Sequence, residues 1–133
     1  NQTRHENAEQ GVELVDRIGR RNFGVTFEAS HLILQQREVR NAAAVRLLCK
    51  RILNVCVQDY RLAPGESDAA TYEGTPYKPC LPDDPRGVDL PGVFGVLKEI
   101  GYDGFVTVMA GGIPGMDHRA HFERYHKVLR QLI

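Results

Sequence analysis

Apolar positions recur along the chain at two alternating spacings, and the alternation sets the order of its elements. Val12, Val15 and Ile18 fall at helical spacing, with Leu14 beside them. Asn7, with Gln10 three residues later, reads as the start of that helix and Gly19 as its stop. Residues 23–27 (Phe-Gly-Val-Thr-Phe) predict a short buried strand, and a polar cluster of Glu28, Ser30 and His31 follows at once. Helical spacing returns over residues 39–50, with Val39, Ala43 and Leu47 in one row and Ala44 and Leu48 in the next. Residues 52–58 (Ile-Leu-Asn-Val-Cys-Val-Gln) predict a second strand, ending at Asp59, Tyr60 and Arg61. Residues 62–87 are rich in Pro, Gly and Asp and keep no period, which predicts a long loop, functional or disordered. Asp89 caps the next helix, Pro91 sits in its first turn, Val93, Val96, Leu97 and Ile100 form its apolar face, and Gly101 ends it. Residues 104–110 (Gly-Phe-Val-Thr-Val-Met-Ala) predict a third strand, and Gly111, Gly112, Pro114 and Gly115 a flexible loop. Asp117 caps a last helix with Phe122, Tyr125, Val128, Leu129 and Leu132 on one face.

The expected order is therefore α-β-α-β-α-β-α. Strands that are near-continuous apolar runs are expected to be covered on both faces, and helices alternating with them imply a parallel sheet. Three parallel strands with four helices leave open edges at both sides of the sheet. The chain is accordingly expected to be part of a larger one, or to complete itself by association with another chain. No short repeat is present.

Composition narrows the function classes. The chain has 133 residues, 42% apolar and 26% charged, a mix that supports a packed core. The net charge of zero gives no electrostatic reason to expect nucleic acid or an anionic membrane as a partner. No apolar run approaches the roughly 18 residues of a membrane span. The first residues show no charged-then-apolar leader pattern. Three cysteines, Cys49, Cys56 and Cys80, are odd in number and widely spaced, which argues against a disulfide framework or a zinc ribbon. Cys49 and Cys56 are expected as buried small apolar residues, consistent with a reducing, cytoplasmic setting.

In parallel α/β folds chemistry collects at the carboxyl ends of the strands. That rule selects Glu28 and His31 after the first strand, Gln58, Asp59 and Arg61 after the second, and Met109 before the glycine-rich turn of the third. A carboxylate and an imidazole three residues apart suit a divalent cation or an acid/base pair. The plainer alternative is a hydrogen-bonded carboxylate beside a histidine at a helix start. Arg61 offers a planar fork for phosphate or carboxylate, or a surface salt bridge with Asp59 or the Asp83–Asp84 pair. Lys78 and Arg86 lie in the long loop, where they are solvated or meet an anionic ligand. The remaining histidines, His5, His118, His121 and His126, are expected at the surface.

Three stretches carry a family resemblance. Residues 15–33 contain an apolar strand followed by Glu28-Ala29-Ser30-His31, similar to the Asp-x-x-His after strand six of xylose isomerase-like TIM barrels, the sugar isomerases and epimerases related to endonuclease IV. Residues 51–61 resemble strand seven, where that family favours His-Val-His-x-Lys-Asp. Residues 87–109, with Lys-Glu-Ile-Gly-Tyr-Asp-Gly-Phe-Val-Thr-Val-Met, resemble helix seven and strand eight and are the most specific match. The resemblance implies an α/β fold, the C-terminal half of a (β/α)8 TIM barrel, with residues 1–133 covering strands six to eight and their flanking helices.

It also implies a divalent metal such as Mn, Mg, Co or Zn, held by acids on strands five, six and eight and a histidine on strand seven. Here Glu28 stands at the strand-six position, Asn54 and Cys56 replace the two strand-seven histidines, and Met109 replaces the strand-eight glutamate. A thioether does not replace a carboxylate for a hard cation. The expected metal site is therefore incomplete, and no residue is assigned as a metal ligand. Glu28 is the candidate catalytic group, and His31, Asp59 and Arg61 are candidates for binding a sugar or sugar phosphate. The alternatives are an active metal-dependent isomerase, epimerase or endonuclease IV-like hydrolase with altered ligands, and a non-catalytic interaction module.

Overall fold

A computed structural model describes residues 7–34 and 41–133. Its elements are α1 (Ala8–Ile18), β1 (Val25–Glu28), α2 (Ala29–Leu34), α3 (Asn41–Leu48), a single 3-10 turn (Cys49–Arg51), β2 (Ile52–Val57), β3 (Tyr60–Leu62), β4 (Ala70–Tyr72), β5 (Thr75–Pro79), α4 (Leu90–Glu99), β6 (Phe105–Val108) and α5 (His118–Leu132). β1, β2 and β6 form a parallel sheet with β2 in the centre, the arrangement of a partial TIM barrel.

The helix ends follow from local chemistry. Asn7 Oδ1 accepts the Gln10 N–H at 2.8 Å, and Gly19, at φ 61°, lets its own N–H reach the Val15 carbonyl at 2.9 Å. Asp89 caps α4 by accepting from Gly92, and Asp117 caps α5 by accepting from Ala120 at 3.1 Å. Asp117→Ala is expected to cost about 1 kcal/mol of stability, the usual worth of such a cap. Urea unfolding at fixed pH checks it.

One face of the sheet carries the core. Phe27, Val55 and Val57 pack with Ala44, Val45 and Leu48 of α3, Val93, Phe94, Val96 and Leu97 of α4, and Tyr125 and Leu129 of α5. Each large apolar side chain buried there contributes about 1.5–3 kcal/mol. The opposite face does not match the expectation of strands covered on both sides: Phe105 is 83% exposed, Met109 50%, and Thr26 and Thr107 are exposed. Strand alternation sends these residues away from the helices.

Other expectations change in detail. The described residues hold five α-helices rather than four, because α2 begins directly after Glu28. The expected row of Val39, Ala43 and Leu47 is not the buried one in α3: Val39 lies outside the described residues, Leu47 is 41% exposed, and Ala44, Val45 and Leu48 are buried. On α5 Phe122 is 45% exposed, and His121 takes its place on the buried face. Cys56 and Cys80 are buried but Cys49 only partly so.

The largest correction concerns residues 62–87, which are not structureless. β3, β5 and β4 form an antiparallel sheet in that order. Tyr72 pairs with Thr75 across Glu73 and Gly74, both at positive φ (48° and 84°), the pattern of a type I′ hairpin.

Candidate functional site

The site grows out of the carboxyl ends of β1 and β2. Glu28 is the last residue of β1, and the chain turns straight into α2, which brings Ser30 and His31 back toward its carboxylate. Ser30 Oγ donates to Glu28 Oε1 at 2.7 Å, and His31 Nε2 lies 3.2 Å from the same oxygen. Gln58, just beyond β2, donates its side-chain amide to that oxygen as well. Tyr60 Oη donates to Gln58 Oε1 at 3.0 Å, so a chain of contacts runs from the antiparallel sheet to the carboxylate. The Glu28 side chain is 16% exposed and that of His31 49%, so the cluster is half-sheltered and open to a ligand. The structure thus brings Glu28 and His31 together as the sequence suggests. Ser30 and Gln58 were visible in the sequence clusters but carried no assigned role.

The metal positions implied by resemblance fall on the same face. Glu28 pairs in register with Cys56, and Cys56 with Thr107; Asn54 and Met109 follow the same alternation. Cys56 is 7% exposed, and burial, then the Glu28 charge, raises its thiol pKa, which opposes the thiolate a metal needs. Asn54 Nδ2 lies 3.4 Å from the Cys56 sulfur and Thr107 Oγ1 donates to Asn54 Oδ1 at 3.3 Å. Among the described residues no group of three or more His, Cys, Asp or Glu side chains is placed to hold a metal ion. This donor set, one carboxylate with a protonated thiol, an amide and a thioether, does not fit a hard divalent cation.

Asp59 and Arg61 are not part of this cluster. Asp59 faces the opposite way from Gln58 and is 3% exposed. Its Oδ1 accepts the Val88 N–H at 2.8 Å, its carbonyl accepts from Cys80, and its Oδ2 has no partner. Burial pushes its pKa up to about 7, against the lowering effect of the Val88 N–H. A Cβ on Gly87 would stand 2.5 Å from Asp59 Oδ1, so only glycine lets the loop close over the carboxyl. Arg61 forms a two-pronged pair with Glu66, at 2.6 and 3.0 Å, rather than with Asp59 or the Asp83–Asp84 pair. Lys78 reaches Glu66 at 2.8 Å and Asp68 at 2.5 Å. The hydrogen bonds from Arg61 and then Lys78 hold the Glu66 pKa down at about 2. Arg86 pairs with Asp84, and Arg124 of α5 with Asp83.

Three tyrosines stand at or beside the site without a signal strong enough to read in sequence. The ring of Tyr72, on β4, lies 6.1 Å from that of His31, and the rings of Tyr60 and Tyr77 meet edge-on at 4.9 Å. Of the histidines expected at the surface, His118 and His126 are exposed, His5 lies outside the described residues, and His121 is buried at 2% exposure. His121 sits against the Tyr125 ring, and burial lowers its pKa. No helix among the described residues is long and apolar enough to cross a membrane.

Comparison with known proteins agrees with this architecture. No curated protein sequence matches the chain. Among solved structures, a xylose isomerase domain protein from Planctomyces limnophilus matches 98% of this chain and 43% of its own, at 21% identity and TM-score 0.68. An L-ribulose 3-epimerase matches 96% of this chain and 41% of its own, at 14% identity and TM-score 0.67. A D-psicose 3-epimerase, determined in the presence of D-fructose, matches 95% and 42%, at 17% identity and TM-score 0.63. The chain thus spans less than half the length of each of these structures. The model of the xylose isomerase-like TIM barrel family matches residues 1–130, and the chain belongs to that family.

Proposed function

We propose that this chain is a sugar isomerase- or epimerase-like barrel segment that binds a sugar at Glu28 and His31 and whose divalent-metal site is degenerate. The observation that carries the reading is the convergence of Ser30, His31 and Gln58 on one oxygen of Glu28. A carboxylate accepts about four hydrogen bonds. Two donors, Ser30 and Gln58, with His31 Nε2 at 3.2 Å, fix its position and leave capacity for a sugar hydroxyl. They also supply, from the protein itself, the positive ends of dipoles that a cation would otherwise bring to the carboxylate. Moving a proton between adjacent carbons calls for a second acid or base. Met109, at the position where the resemblance implies a glutamate, cannot serve as one, so the reading favours binding without turnover.

D-fructose is the probe, titrated into the chain in the presence of a chelator and followed by calorimetry. Weak binding is expected, and Glu28→Gln is expected to weaken it at least tenfold, about 1.4 kcal/mol. Binding that appears only after Mn2+ is added would place a working metal site in the unaltered chain and overturn the reading. A second reading, a non-catalytic interaction module, rests on Phe105, which is 83% exposed on the face away from the helices. Absence of sugar binding with self-association of the chain would favour it.

A further inference from the structure

The antiparallel sheet of residues 60–79 is tied to the Glu28 cluster at two points. Tyr60, on β3, reaches Glu28 through Gln58. Tyr72, on β4, faces the His31 ring at 6.1 Å with the planes tilted by 49°. His31 in turn lies 3.2 Å from the Glu28 carboxylate. β3 packs against α2, the helix that carries Ser30 and His31. The sheet is therefore built onto the site.

Its surface combines aromatic rings with charges that cancel locally. Tyr60, Tyr72 and Tyr77 are all partly exposed. The cations it carries are engaged: Arg61 holds Glu66 in a two-pronged pair, and Lys78 holds both Glu66 and Asp68. Arg86, in the loop that follows, holds Asp84. A phosphate group is recognised by just such forks and ammonium groups, but here carboxylates already fill them. Glu28 adds a negative charge that repels a phosphate. A sugar without phosphate meets neither obstacle. Its hydroxyls suit the carboxylate and imidazole, and its carbon–hydrogen face suits the electron-rich face of a tyrosine ring, an apolar body with a polar tip.

We infer that the β3–β5–β4 sheet is the wall of the Glu28 site, with Tyr72 beside His31 forming the surface on which the carbon–hydrogen face of an unphosphorylated sugar rests. This rests on the sugar-binding reading above and adds the element that selects the ligand. Tyr72 is a binding residue here, and Gln58 and Tyr60 are positioning residues that hold Glu28.

Three of the five tyrosines, Tyr60, Tyr72 and Tyr77, stand on the wall and there is no tryptophan, so a ligand-induced change in tyrosine emission, checked by calorimetry, reports binding. D-fructose and D-fructose 6-phosphate are titrated into the chain and into Tyr72→Ala, Tyr72→Phe and Glu28→Gln, with circular dichroism confirming that each variant is folded. The expected result is a change in tyrosine emission with D-fructose, binding about tenfold weaker in Tyr72→Ala and near normal in Tyr72→Phe, and no tighter binding of the phosphate ester. D-fructose binding that Glu28→Gln weakens but Tyr72→Ala leaves unchanged would overturn the wall while leaving the sugar-binding reading intact. Tenfold tighter binding of the phosphate ester would overturn the selection against phosphate. If D-fructose fails to bind the unaltered chain at all, the sugar-binding reading fails and the wall fails with it.

Discussion

Asp59→Asn is expected to stabilise the fold by about 2 kcal/mol at pH 8 and to leave it nearly unchanged at pH 4. Asp59 is 3% exposed, and only one of its carboxyl oxygens has a partner, the Val88 N–H at 2.8 Å. Removing the charge from water costs more than the lowering effects of Val88, Cys80 and Tyr60 return, so the carboxyl pKa rises from 3.8 to about 7. A folded pKa above the unfolded one means that the folded state binds the extra proton. This group's contribution is therefore fully favourable below about pH 4, declines as pH rises toward 7 and is flat above that. The whole swing is about 4 kcal/mol at most, at roughly 1.4 kcal/mol per pKa unit. Asparagine copies the protonated acid and keeps the acceptor for Val88. Its amide group must fit a buried position where Oδ2 has no partner, which takes back part of the gain.

Other groups slope the opposite way, so the comparison has to be made at matched pH. Glu66, Asp83 and Asp84 have pKa values lowered chiefly by hydrogen bonds from Arg61, Arg124 and Arg86. Their contributions are present above the ordinary carboxylate range and lost in acid. They are common to the unaltered chain and the variant and cancel in the difference. Urea unfolding of both at pH 4, 6 and 8 gives that difference directly. A gap that stays constant across the three values would mean that Asp59 does not titrate in this window. The effect also explains why Asp59 is a poor candidate for contact with a ligand: its carboxyl holds the loop entering α4, with Gly87 closing over it.

The sequence announces the parallel layer well because each of its elements carries its own local signal. Asn7, Asp89 and Asp117 cap their helices where the side-chain chemistry requires. The strands of the central sheet each run four to six residues, long enough for a β-rich run to show. The antiparallel sheet escapes for the converse reason. β3 and β4 have three residues each, and β5 contains Pro76 and Pro79. Period-two alternation needs about four residues or more to be recognised. The available signal was Glu73-Gly74, a two-residue turn between Tyr72 and Thr75.

The site divides in the same way. Glu28 and His31 are close in sequence and close in space, so their spacing is informative. Asp59 falls in one sequence cluster with Gln58 and Arg61 because all three follow one strand. Alternation along an extended chain already assigns Gln58 and Cys56 to one side and Asp59 to the other. The partnership of Arg61 with Glu66 was not legible, since it depends on the fold of the antiparallel sheet.

Cys56→His combined with Met109→Glu is expected to create a divalent-cation site from positions whose present side chains, a thiol and a thioether, do not suit a hard cation. Register puts Glu28, Cys56 and Thr107 in one row, and Met109 lies two residues beyond Thr107 on the same face. Neighbouring strands are about 4.8 Å apart, so Glu28 and position 109 stand on either side of position 56 within reach of a common ion. The double variant supplies two carboxylates and an imidazole, the donor types that suit Mn2+, Co2+ and Zn2+. It also removes the protonated thiol, which burial and the Glu28 charge keep from ionising. Co2+ is the probe, because its visible absorption reports coordination directly. Binding with Kd on the order of 10 µM, at least 100-fold tighter than in the unaltered chain, is the expected outcome, and each single variant should fall in between. Asn54 loses its sulfur partner in this exchange, and a larger ring enters a site where Cys56 is 7% exposed, so some stability is lost. A folded double variant without Co2+ absorption would mean that these positions do not converge on one ion. Metal binding without turnover of a ketose would show that a place for the ion is not by itself enough, and that moving the proton needs a further acid or base.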